Sequence, residues 1–132
     1  MLLRITDTLY IDPAQVTFVT PMVQTNWGSE GLTFFPSTDA VHSDAICAYS
    51  GYEAFRQAFA SLPGWVEIKH TLYFGSGERR QAIVLPALVN TAQISGMICG
   101  LSGDWVMYGR NSDKTLPGIS QRDMEQLLHL HQ

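Results

Sequence analysis

Charge is what this sequence has little of. Only 15% of its 132 residues are charged, against about 25% in an average soluble domain. Eight basic residues face twelve acidic ones, for a net charge of −4. Nothing in that balance offsets a polyanion, so nucleic acid is not an expected partner through phosphate contacts. Cysteine is equally scarce: Cys47 and Cys99 are the two present, too few for a disulfide framework. There is no Cys-x-x-Cys and no His-Glu-x-x-His, so the sequence calls for no metal and no cofactor. No apolar run approaches the roughly 18 residues of a membrane span. The opening residues, Met1 to Asp7, lack a basic region followed by a long apolar stretch, so no signal peptide is expected. What is present is 45% apolar residues, enough to bury a core and to exclude disorder as the main state. The expectation is a single compact domain over residues 1–132, soluble and cytoplasmic.

The apolar residues fall into short stretches with strand character. A strand is expected near 2–10, a turn at Asp12-Pro13 where proline fixes φ and lacks a donor, and a second strand near 15–22. A loop over 24–31 leads to a strand at 32–35. Ser50-x-x-Glu53 has the form of a capping box. Tyr52, Phe55, Phe59 and Leu62 follow at helical spacing, and Pro63-Gly64 stops the pattern, which predicts a helix over 51–61. Residues 65–74 alternate, with Glu67, Lys69 and Thr71 on one face and Val66, Ile68, His70, Leu72 and Phe74 on the other. Gly75 to Glu78 reads as the turn of a hairpin whose second strand begins near Arg80, with Pro86 marking an edge or a bend. Further strands are expected at 92–99 and 105–108, then a polar loop over 109–118. The last helix starts at Ser120, with Met124, Leu127, Leu128 and His131 as its apolar stripe. The predicted fold class is α+β: a mostly antiparallel sheet with two α-helices packed on one side.

Two stretches resemble each other at a constant offset of 78. Residues 10–16 (Tyr-Ile-Asp-Pro-Ala-Gln-Val) align with residues 88–94 (Leu-Val-Asn-Thr-Ala-Gln-Ile), and Ile5 aligns with Ile83. The chain therefore reads as two tandem β-β-β-α units, about 1–64 and 78–132, joined by the strand at 65–74. One unit is too small to bury its own core, so the two would pack with pseudo-twofold symmetry. The competing explanation is that strand–turn–strand segments look alike by composition.

Several residues are of types that carry chemistry. His42, Asp44 and Cys47 lie close in sequence and have the residue types of a base, an orienting acid and a nucleophile. However, Ala45-Ile46-Cys47-Ala48 is a small apolar run, where a free cysteine commonly packs as a hydrophobe. His129 and His131 sit two apart, about 200° around a helix, and share no face. His70 is in phase with the apolar face of its strand and would need partners for its nitrogens if buried. Gly75-Ser76-Gly77 is followed by a strand rather than a helix, so a hairpin turn is favoured over a phosphate loop. Arg79 and Arg80 just after it form the densest positive charge and, with His70, are the candidates for holding a ligand or an anion. Trp27 lies among polar and glycine residues with no periodic reason to be buried, which suits an interface anchor.

Three functional readings follow, and no catalytic residue is assigned. The first is a non-enzymatic protein–protein interaction module: a small acidic inhibitor, an immunity-type protein or a regulator. Trp27, Glu30, Asp39, Asp44, Asp104 and Asp113 would contact its protein partner, a basic one by charge. The second is a small enzyme or ligand-binding domain with a groove containing His70, Cys47 and His42. The third is a nucleic-acid-binding regulator, which would need Arg4, Arg56, Lys69, Arg79, Arg80, Arg110, Lys114 and Arg122 to cluster. Unpaired strand edges and a lightly charged surface also point to a homodimer.

Overall fold

The computed structural model describes residues 1–7, 9–22, 31–36, 52–74, 77–109 and 115–131. In chain order the elements are β1 (Leu3–Thr6), β2 (Leu9–Ile11), β3 (Val16–Met22), β4 (Gly31–Pro36), α1 (Tyr52–Phe59), β5 (Trp65–Phe74), β6 (Gln81–Asn90), β7 (Ile94–Cys99), β8 (Trp105–Gly109), β9 (Thr115–Ile119) and α2 (Gln121–His131). Strands β1 and β2 form a small antiparallel ribbon, and the other seven form one sheet in the order β4-β3-β6-β5-β9-β8-β7. All registered strand pairs are antiparallel. The fold is α+β, with no helix among the described residues long and apolar enough to cross a membrane.

The single strand expected over 2–10 is a hairpin. Thr6, Asp7 and Thr8 interrupt the apolar run, the chain turns at Asp7, and Arg4 donates to the Asp7 carboxylate across the turn. At the two segments related by the offset of 78, the chain makes the same local turn. Asp12 accepts from the Ala14 amide at 3.1 Å and caps a 3₁₀ turn over Pro13–Gln15. Asn90 accepts from the Ala92 amide at 3.2 Å and caps one over Thr91–Gln93. Short polar side chains at such positions stand in for a backbone turn. The two turns also touch. Asn90 Nδ2 donates to the carbonyls of Pro13 (3.3 Å) and Val16 (3.1 Å), and Gln93 Nε2 donates to that of Ala14 (2.8 Å). Asn90 is 5% exposed, so these bonds give its buried amide group the partners it needs.

The β5–β6 ribbon is the spine of the molecule. The strands pair at ten consecutive positions, from Trp65 opposite Asn90 to Phe74 opposite Gln81. Their side chains alternate between two cores. Ile68, Ala87 and Val89 join Phe18, Ile94, Met107, Leu116 and Ile119 beneath Met124 and Leu127 of α2. Leu88, of opposite parity, joins Ile11, Val16 and Val19 beneath Phe55 and Phe59 of α1, with Trp65 packed beside them. Successive residues of a strand face opposite ways, so the two helices lie on opposite faces of β6 rather than on one side. The apolar run in β6 (Ala82 to Val89) is continuous because both faces of its distal part are buried, and such a run carries no parity signal.

Helix α1 follows its sequence stripe, with Phe55 and Phe59 buried and Tyr52 and Leu62 packed alongside. The Tyr52 hydroxyl donates to Glu67 Oε2 (2.8 Å) and Arg56 Nε binds the same oxygen (3.1 Å), tying α1 to β5. Burial, followed by the Glu67 carboxylate, pushes the Tyr52 phenol well above its ordinary range. Helix α2 starts as expected, with Ser120 Oγ accepting from the Asp123 amide at 3.2 Å. Its buried stripe is narrower than predicted: Met124 and Leu127 are inside, while Leu128 is half exposed.

The polar loop expected over 109–118 contains strand β9. Pro117 and Gly118 disguise it, since both are poor strand formers. Yet Gly118 is what the seam between β9 and β5 requires. It has φ +70°, and a β-carbon there would lie 2.0 Å from the Thr71 carbonyl oxygen. Beside it, β5 and β9 are in register at a single pair, His70 opposite Ile119.

A candidate interaction surface

Strand parity decides which part of the ribbon is left uncovered. Residues 65, 67, 69, 71 and 73 of β5 and residues 82, 84, 86 and 88 of β6 face away from α2. Helix α1 covers only the end near Trp65 and Leu88. Toward the hairpin tip the same face is open, with Tyr73 49% and Val84 61% exposed.

Three side chains are organised at that tip. The Arg80 guanidinium carbon sits 4.6 Å from the centre of the Tyr73 ring, a cation–π geometry. The Tyr73 hydroxyl donates to Asp104 Oδ2 at 3.3 Å. Asp104 lies in the β7–β8 turn, whose Gly100 amide donates to the Asp104 carbonyl at 2.8 Å. One tyrosine thus links the tips of two hairpins. Tyr73, Arg80, Ala82 and Ser102 line a shallow depression of about 410 Å³, and Leu101 beside it is fully exposed. A larger open groove of about 840 Å³ runs along β6 to the start of α2, lined by Lys69, Val84, Pro86, Arg122 and Asp123 among others. Among the described residues, β3 registers with β6 at Leu88 and Val89 alone. Pro86 therefore sits on a stretch of β6 with no strand on its other side among the described residues, where its missing N–H costs no ladder bond.

Of the residues singled out from the sequence, the structure brings together Asp104 and Arg80, with Tyr73 between them. His70 is not part of the group. Its parity is opposite to that of Tyr73, and it is 2% exposed, in register with Leu85 and Ile119. Neither ring nitrogen has a partner within hydrogen-bond geometry. Burial holds the imidazole below its ordinary pKa, partly offset by the Pro117 carbonyl nearby. His70 is therefore a neutral core residue at pH 7. Arg79 ends the 3₁₀ turn over Gly77–Arg79, and its side chain lies outside the described residues. So do Trp27, Glu30, Asp39, His42, Asp44, Cys47 and Asp113. Of the basic side chains counted toward a nucleic-acid surface, Arg4 pairs with Asp7, and Arg56 with Glu53 and Glu67. Cys99 is an exposed free thiol, and no three His, Cys, Asp or Glu side chains among the described residues gather as metal ligands.

Tyr73 and Val84 were missed as surface candidates. The signal for Tyr73 was present: it continues the Glu67, Lys69, Thr71 phase, so it shares their exposed face. Val84 had no such signal within a continuous apolar run. Compared with known proteins, the chain matches no family model, no curated sequence and no solved structure.

Proposed function

We propose that this protein is a non-enzymatic protein–protein interaction module, a small inhibitor, immunity-type protein or regulator acting in the cytoplasm. It docks its partner on the open face of the β5–β6 tip. The observation that carries the reading is the Tyr73–Arg80–Asp104 group, flanked by exposed Val84 and Leu101. Tyrosine and arginine are the residue types that dominate binding energy at interfaces. Here both are held in place before contact, which lowers the entropy lost on association. The net charge of −4 favours a partner with a basic surface. Asp104 and exposed Glu67 and Lys69 would set its orientation and rim contacts.

The test is affinity purification from the native host with the wild-type protein and the double variant Tyr73→Ser/Arg80→Ser. The expected result is one stoichiometric protein partner retained by the wild type and lost, or weakened at least about tenfold, with the variant. Circular dichroism of the two proteins should match, because the substituted side chains are exposed. Equal retention by both would remove the β5–β6 tip as the docking site. Absence of any partner would remove the interaction-module reading.

A further inference from the structure

We infer that β7 is a self-pairing edge: it adds antiparallel to β7 of a second copy of this chain and joins two seven-stranded sheets into one. β7 ends the sheet, and among the described residues only β8 pairs with it. In an antiparallel strand, alternate residues direct their N–H and C=O groups to either side, so along Gly96–Cys99 one row of backbone groups faces outward and has no strand partner among the described residues. Sheet edges are normally protected by charge or proline. From Ile94 through Gly103 there is neither. The opposite edge strand, β4, ends on Pro36. The β7 edge also presents apolar surface, with Ile98 58% exposed and Leu101 fully exposed after it.

Charge and symmetry both select a second copy as the occupant. Two chains of net charge −4 repel each other, and they do so least where ten consecutive residues carry no charge. A partner recognised by opposite charge has nothing to recognise on this strand. An antiparallel pair of identical strands is twofold by construction, so one edge supplies both halves of the interface. The β7–β8 register shifts between Ile94 and Gly96. This bulge leaves Gly96–Cys99 as the regular stretch, and the exposure of Ile98 within it (58%) makes it the apolar residue that the twofold pairing sets opposite Ile98 of the second copy. Such an edge contact is small by the standards of stable interfaces, so the dimer is concentration-dependent. Leu101 borders both this edge and the docking face at the β5–β6 tip, but the inference stands on the β7 backbone edge and on Ile98, which that face does not use.

Sedimentation analysis over a range of concentrations tests it, using the wild type, Ile98→Lys and the control Leu128→Lys. Leu128 is a half-exposed apolar residue on α2, outside the strand itself. The wild type and Leu128→Lys should double in mass as concentration rises, while Ile98→Lys stays monomeric. Ile98→Cys in a Cys47→Ser/Cys99→Ser background should also cross-link to a dimer on mild oxidation. Directly opposed residues in an antiparallel pair have Cα atoms about 4.5–5.5 Å apart, within disulfide reach. A wild type that stays monomeric throughout overturns the inference. So does a dimer that Ile98→Lys leaves intact, since that association uses another surface.

Discussion

The close approach of β9 to β5 makes a quantitative demand on one residue. In Gly118→Ala, the new methyl would sit 2.0 Å from the Thr71 carbonyl oxygen and 2.7 Å from the Thr71 nitrogen, with the backbone at φ +70°. The left-handed conformation costs an L-residue about 1–2 kcal/mol. Relieving the clash costs roughly another 1–3 kcal/mol, the usual range for overpacking. Thr71 cannot simply withdraw, because it is held opposite Val84 in the middle of the ten-residue ladder. The expected loss is therefore about 2–5 kcal/mol. At an unfolding entropy of about 2.1 cal/mol/K per residue, that lowers Tm by roughly 7–18 °C. Gly103→Ala is the control. Its φ is +89°, but nothing lies within 4 Å of the added methyl, so only the conformational cost of about 1–2 kcal/mol applies. Urea and thermal unfolding of both variants measure the difference. Equal losses, within about 0.5 kcal/mol of each other, would mean that β9 does not press against β5 as described.

Three other outcomes follow from the same contacts. His70 is buried, with its pKa lowered from 6.5. Its stabilising contribution is complete above the unfolded-state value and is lost as pH falls below about 6.5. Urea titrations between pH 7.5 and 5.5 should show stability falling toward acid, and His70→Leu should flatten that slope; an unchanged slope would exclude His70 as its source. Asn90→Asp keeps the acceptor for the Ala92 amide but replaces the donor to Pro13 and Val16 with a carboxylate facing two carbonyls. It should lose at least as much stability as Asn90→Ala, about 1–3 kcal/mol, even though an aspartate occupies the related position 12; a neutral result by chemical denaturation would refute the bridging role. Phe59, 1% exposed with its ring centre 4.4 Å from that of Trp65, should cost about 3–5 kcal/mol as Phe59→Ala. Trp65 fluorescence would report the same unfolding transition.

Much of the local structure was legible in the sequence because its causes are local. The 3.6-residue spacing of Tyr52, Phe55, Phe59 and Leu62, the alternation across Trp65–Phe74, the serine before α2 and the turn chemistry at Asp12 each fixed an element or its boundary. The α+β class followed from them. So did the candidacy of Asp104 and Arg80, although nothing in the sequence joins two residues 24 positions apart.

Tertiary structure decided the rest, wherever the deciding interaction is between segments distant in the chain. Parity within a continuous apolar run such as that of β6 is silent, so only the packing of Leu88 against α1 and of Ala87 and Val89 against α2 put the helices on opposite faces. β9 exists because Gly118 fits against Thr71, a neighbour 47 residues earlier, and by propensity alone it reads as loop. The Tyr73 ring organises Arg80 and Asp104 because two hairpin tips meet. Propensity and periodicity act over a few residues and are written in the chain. Which faces are covered, which edge is left open and which side chains converge are set by long-range packing, where each contact depends on all the others being made.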